Sequence, residues 1–257
     1  MTTPHVTRTY RIVAMLALGV FRVQRWQFDV QGAQHVPTYG GAVIAANHIG
    51  FLDFVTVARE PWLRAGRPVR ILAKSSLFAL PLVGGAMRRA GHIPVERSAG
   101  GGAYRAAVTA LRAGELLLVL PEQTISPAFE LRPLRNGAAR MAAMAGVPLV
   151  PAVSWGSHRF HTVGHRPRPR WRLPVSVAYG EPLTPHADDD ATEVTAILRQ
   201  RMQGLLDAVQ SSYPHGNPRG SWWVPARRGG AAPTVEQAEQ GLRALTTKWV
   251  RRPGRPH

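Results

Sequence analysis

Six short apolar runs constrain this chain more than any other feature of it. They are residues 42–46 (AVIAA), 69–73 (VRILA), 92–95 (HIPV), 116–120 (LLLVL), 148–155 (PLVPAVSW) and 175–179 (VSVAY). A strand with one wet face alternates apolar and polar side chains. A strand that is apolar at nearly every position has both faces covered. Helical patterns lie between the runs, over residues 51–60, over 104–113 (closed by Gly114) and over 136–145 (closed by Gly146). This alternation predicts an α/β domain with a mainly parallel central sheet flanked by helices. A chain of 257 residues, 45% of them hydrophobic, can bury the core such a domain needs.

Polar residues cluster where the predicted strands end. Asn47 and His48 follow the first run, Lys74 the second, Glu96 and Arg97 the third, and Glu122 the fourth after Pro121. Open α/β sheets bind ligands outside the carboxyl ends of their strands, so these residues mark one candidate site. Within it the stretch NHIGFLD, residues 47–53, holds His48 and Asp53 five positions apart. On one straight helix their side chains would diverge by about 140°. A turn at Gly50 followed by a helix from about Phe51 puts Asp53 in the first helical turn. Its carboxylate can then fold back onto the imidazole, fix the tautomer and leave the other ring nitrogen as a base. On spacing alone, Asp53 serves equally well as a helix-start acid beside a surface histidine. A metal centre lacks a third ligand at local spacing. The chain has no cysteine, which removes thiolate chemistry altogether.

Four blocks in chain order resemble the motifs of the PlsC-type 1-acylglycerol-3-phosphate acyltransferase family. They are the His-x4-Asp of NHIGFLD, GHIPVER (91–97), LPEQTIS (120–126) and GVPLVPAV (146–153). Residues 73–91 resemble the stretch between the first two, and the likeness extends over about residues 40 to 185. The resemblance implies an acyltransferase without a cofactor. His48 would be general base for an acceptor hydroxyl and Asp53 its orienting partner. Acyl-CoA or acyl-carrier protein would be the donor co-substrate, and a lysophospholipid, foremost 1-acylglycerol-3-phosphate, the acceptor. Arg97 would bind the acceptor phosphate, Glu122 and Thr124 would shape that pocket, and Lys74 would add positive charge. Asn47 and Gln123 join these as substrate-site positions. The third block departs from the family pattern, with Gln123 for the usual Gly and Ile125 for the usual Arg. Arg132 and Arg135 follow shortly as candidate replacements.

The net charge is +17, from 32 Lys+Arg against 15 Asp+Glu. Such a balance calls for a polyanionic neighbour, an anionic membrane surface or nucleic acid. No nucleic-acid motif accompanies it, so a membrane at its cytoplasmic face is the expected partner and nucleic acid is not. No apolar run is long enough to span a bilayer. Residues 1–30 are instead expected to form an amphipathic interfacial helix whose stripe of Arg8, Arg11, Arg22 and Arg25 meets headgroups. The loop 158–172 (HRFHTVGHRPRPRWR) carries Arg166, Arg168, Arg170 and Trp171 as further membrane-contacting residues. Residues 31–212 form the expected catalytic domain. Residues 213–257 form an irregular basic extension, rich in Gly, Pro, Trp and Arg, with a last helix over 234–251. A serine esterase is a second reading, because AVSWG (152–156) approximates a nucleophile elbow with Asp188 to Asp190 and His215 downstream. A non-enzymatic membrane- or nucleic-acid-binding protein is a third.

Overall fold

The computed structural model describes residues 6–95, 101–214 and 216–250. Among these residues seven strands follow one another as β1 (Gln27–Gln31), β2 (Ala42–Ala46), β3 (Val69–Lys74), β4 (Ile93–Val95), β5 (Leu116–Val119), β6 (Leu149–Trp155) and β7 (Pro174–Tyr179). They form one sheet in the order β1-β7-β6-β2-β5-β3-β4. Neighbours run parallel throughout except β6 and β7, whose antiparallel pairing reverses the β1–β7 edge against the rest. The sheet is thus mainly parallel, with the central strand β2 flanked by β5 and β6.

The described residues also form the helices α1 (Arg8–Val23), α2 (Asp53–Ala65), α3 (Ser75–Phe78), α4 (Val83–Arg89), α5 (Gly101–Arg112), α6 (Gly137–Ala145), α7 (Ala191–Ser211) and α8 (Val235–Val250). Alternate residues of each strand serve opposite cores. Val43, Ala45, Leu117, Val119 and Val153 pack with Leu111, Met141, Leu198 and Met202 of α5, α6 and α7. Ala42, Ile44, Ala46, Leu116, Leu118 and Ala152 pack on the other face with Phe21 and Val57 of α1 and α2. Two covered faces are why these strands read as unbroken apolar runs.

The ends of the domain are tied into it. Tyr10 of α1 is buried and its hydroxyl accepts the Val69 N–H at 3.0 Å, while Phe21 stacks on Trp26 at 4.6 Å. Residues 213–214 and 216–234 hold no helix longer than the 3-10 turn Ala226–Arg228, and Tyr213, Trp223, Val224 and Ala232 join the main core. The extension is therefore packed onto the domain. In α2, Pro61 has no N–H to offer the Val57 carbonyl four residues earlier, and the Tyr179 hydroxyl donates to that carbonyl instead.

Candidate active site

The site is built at the carboxyl end of β2. Asn47 and His48 leave the strand, a tight turn spans residues 49–52, and Asp53 opens α2. No side chain caps this helix start. The Asp53 carboxylate folds back over the turn, and its Oδ2 accepts the N–H groups of Ile49 at 2.6 Å and Gly50 at 2.7 Å. The same oxygen lies 3.3 Å from His48 Nδ1. Oδ1 accepts the Ser157 hydroxyl at 2.8 Å. Asp53 is fully buried, and these donors satisfy its charge without an ion pair to Lys or Arg among the described residues. The imidazole remains 17% exposed. With Nδ1–H directed at Asp53, Nε2 keeps its lone pair for a proton acceptor's work.

Gly50 lies within this turn. Its backbone is not left-handed; a Cβ there would lie 2.9 Å from the Cα of His158. Close approach of the segment after β6 is what requires glycine. That segment forms the wall behind the turn. Thr162 Oγ1 donates to the Ile49 carbonyl at 2.6 Å, and the Phe51 N–H donates to the His161 carbonyl at 3.1 Å.

The main chain of His48 is held from both sides. Its N–H donates to Glu122 Oε1 at 2.7 Å, and its carbonyl accepts the Ser126 N–H at 2.8 Å. Glu122 Oε2 accepts the Arg132 N–H at 2.8 Å. Burial pushes the Glu122 carboxyl up to about 8, against the lowering effect of its two backbone donors. His158 is also fully buried, and burial takes its imidazole down to about 4, so it is neutral at ordinary pH; its Nε2 pairs with the Trp223 carbonyl at 3.0 Å.

Two residues expected to contact substrate stand behind the site instead. Asn47 is fully buried and bridges to β6, with Nδ2 donating to the Ser154 carbonyl at 3.1 Å and Oδ1 accepting the Ser154 N–H at 2.7 Å. It continues the β2–β6 ladder by one side-chain step. Glu122, likewise buried, uses both oxygens on backbone amides. Gln123 is exposed in a left-handed backbone with φ +63°, Thr124 is half-buried beside it, and Lys74 is exposed at the end of β3. Arg97 and Glu96 lie outside the described residues. Arg132 is committed elsewhere, with Nε and Nη2 on the Glu239 carboxylate at 2.9 Å. Ile125 is buried.

The described residues do not form a serine-esterase geometry. Ser154 lies inside β6, fully buried, and its hydroxyl is 2.8 Å from that of Thr56. Asp190 caps α7 through the Thr192 N–H, and His215 lies outside the described residues. Among the described residues no group of three or more His, Asp or Glu side chains is placed to hold a metal.

The sequence model of the acyltransferase family matches residues 27–155. The chain belongs to the acyltransferase family. The matched segment includes His48, Asp53 and Glu122 and stops just short of Ser157. A chloroplastic 1-acyl-sn-glycerol-3-phosphate acyltransferase of Brassica napus is 26% identical over 159 residues, which is 60% of this chain and 45% of that protein. The 1-acyl-sn-glycerol-3-phosphate acyltransferase of Bacillus subtilis is 30% identical over 143 residues, 54% of this chain and 68% of its own length. The chain spans less than half the length of the chloroplastic relatives of Brassica napus and Arabidopsis thaliana that it matches. The crystal structure of the 1-acyl-sn-glycerophosphate acyltransferase PlsC from Thermotoga maritima superposes with a TM-score of 0.64 at 20% identity, over 79% of this chain and 80% of that one. That likeness places this acyltransferase-family chain in the PlsC fold.

Proposed function

We propose that this chain moves a fatty acyl group from acyl-CoA or acyl-carrier protein to the free hydroxyl of a lysophospholipid, most directly 1-acylglycerol-3-phosphate, at the cytoplasmic face of a membrane. The observation that carries the reading is the His48–Asp53 pair at the end of β2. The acceptor hydroxyl gives its proton to His48 Nε2 as its oxygen attacks the thioester carbonyl. The tetrahedral intermediate collapses, the C–S bond breaks, and the thiolate leaves with the proton returned from His48. Asp53 holds the ring and balances the transient imidazolium. A positioned base supplies about 10²–10⁴-fold, and juxtaposition of donor and acceptor supplies much of the rest.

The surface supports a membrane setting. Ile12, Leu16, Val20 and Val23 of α1 are exposed and fall within an arc of about 80° at 100° per residue, opposite buried Tyr10 and Phe21. Arg8, Arg11 and Arg22 are exposed along one flank of that stripe. The two basic segments adjoin: the Arg25 guanidinium lies over exposed Trp171 at 5.1 Å, and the Arg172 N–H donates to the Gln24 carbonyl. Arg166 and Arg168 are exposed beyond them. Arg170 turns inward and donates from Nε to the Arg159 carbonyl at 2.8 Å, so it is not part of this face. No helix among the described residues is long and apolar enough to cross a membrane.

The test is transfer from long-chain acyl-CoA to lysophosphatidate, with other lysophospholipids and monoacylglycerol in parallel. His48→Ala and Asp53→Ala abolish measurable transfer on this reading. Transfer at the wild-type rate in both variants overturns it. In flotation with phosphatidylglycerol vesicles, Leu16→Glu together with Val23→Glu releases the protein from the lipid fraction.

A further inference from the structure

A cavity of about 610 Å³ opens between the starts of α5 and α6, lined by Gly101, Tyr104, Leu134, Arg135, Gly137 and Arg140. Its volume falls within the roughly 300–1,000 Å³ usual for small-molecule sites. A smaller hollow of about 160 Å³ shares Tyr104 and Arg140 and continues along apolar Ala139, Ala143, Met144 and Val194. Arg140 therefore stands where a polar cavity meets an apolar groove.

The cavity adjoins the end of β5, next to the β2 end that carries the site. The Arg135 N–H donates to the Pro121 carbonyl at 3.0 Å, and Pro121 precedes Glu122, whose carboxylate holds the His48 N–H. Most charges near this strand end are paired: Arg132 with Glu239, and Glu130 with Arg227. The guanidinium groups of Arg135 and Arg140 have no side-chain or carbonyl partner among the described residues, and no carboxylate lines the larger cavity. Asp189, in the smaller hollow, is engaged by the His186 N–H at 2.8 Å. Two unneutralised guanidinium groups on one concave wall favour a ligand with at least two negative charges, and the planar fork of Arg matches phosphate oxygens.

We propose that this cavity is a phosphate subsite in which Arg135 and Arg140 hold a phosphate group of one of the two substrates. The inference rests on the acyl-transfer reading and adds residues beyond the four motif-like blocks. Both substrates of that reading bring phosphate: the acceptor as a phosphomonoester, the donor on its CoA portion.

The experiment uses the full chain with Arg135→Gln and Arg140→Gln combined. KM values are measured for lysophosphatidate against monoacylglycerol, and for acyl-CoA against acyl-pantetheine. The expected result is a rise of about tenfold or more in the ratio of phosphate-bearing to phosphate-free KM for one pair, as loss of charge-assisted hydrogen bonds requires. A rise in the first pair places the acceptor's phosphate here; a rise in the second places the donor's. Ratios that stay constant in both pairs overturn the subsite while leaving acyl transfer standing. If the wild-type chain transfers no acyl group, the subsite is judged by calorimetric titration with glycerol 3-phosphate and adenosine 3′,5′-bisphosphate. Binding of either that is lost in the double variant supports it, and no binding of either to the wild type overturns it.

Discussion

Glu122→Gln tests the clamp on His48 by its pH dependence. The folded carboxyl sits at about 8 against an ordinary 4.5, chiefly because burial disfavours its charge. A folded-state value raised above the unfolded one means folding favours the protonated group. The contribution to stability is then complete below 4.5 and is lost as pH rises through about 8. At 1.4 kcal/mol per unit the loss over that interval amounts to roughly 5 kcal/mol. Glutamine cannot ionise, so the variant lacks this slope. It also meets two amide donors, from His48 and Arg132, with one acceptor oxygen and one NH2 group, which costs about 1–3 kcal/mol. The variant is accordingly less stable than the wild type near pH 5, and the difference narrows or reverses by pH 8.5. Urea denaturation followed by tryptophan fluorescence at half-unit pH steps reads both curves. Curves that stay parallel from pH 5 to 8.5 refute the assignment of a raised, buried carboxyl to Glu122.

Ser157→Ala removes the hydroxyl on Asp53 Oδ1 and lowers kcat/KM for acyl transfer about 10–100-fold, with partial recovery in Ser157→Thr. Gln123→Gly relieves a left-handed backbone worth about 1–2 kcal/mol, less the added freedom of the unfolded chain; a modest rise in Tm by differential scanning fluorimetry is expected. Tyr179→Phe leaves the Val57 carbonyl without its donor and costs about 1–3 kcal/mol by urea denaturation. That cost shrinks in a Pro61→Ala background, where the helix regains its own N–H.

The legible parts of this fold are those whose sequence and surroundings agree. β2, β5, β6 and β7 are buried at every position, so their apolar runs announce them. β1 (QFDVQ) is a half-exposed edge strand and offers no such run. The helix α7 did carry a signal, with Asp190 capping the Thr192 N–H, Glu193 in the first turn, and Thr195, Leu198, Met202, Leu206 and Val209 buried at helical spacing. Its acids invite a catalytic reading that hides their capping role. At the site, His48 and Asp53 are legible because they lie only five positions apart in the chain. Ser157 reaches Asp53 across 104 positions, and no local pattern marks it. A polar residue after a strand is equally ambiguous, since it can face the ligand or finish the neighbouring ladder. Asn47 and Glu122 do the latter.

On the proposed mechanism, the distances around Asp53 make the imidazole the partner that moves. Its carboxylate is fixed by two amides at 2.6 and 2.7 Å and by Ser157 at 2.8 Å, whereas the imidazole stands off at 3.3 Å. The His48 backbone is equally fixed, through Glu122 and Ser126. What remains free is rotation of the His48 ring about its side-chain torsions. Catalytic hydrogen bonds in resting enzymes are often long and tighten when substrate binds. On that mechanism, proton transfer from an acceptor hydroxyl to Nε2 makes Nδ1–H more acidic, and the growing positive charge draws the ring toward a carboxylate held by its other donors. The surrounding loops reinforce that asymmetry. The Trp223 carbonyl anchors His158 behind the turn, and Glu239 anchors Arg132 beside Glu122. The C-terminal extension thus reaches both loops that hold the pair.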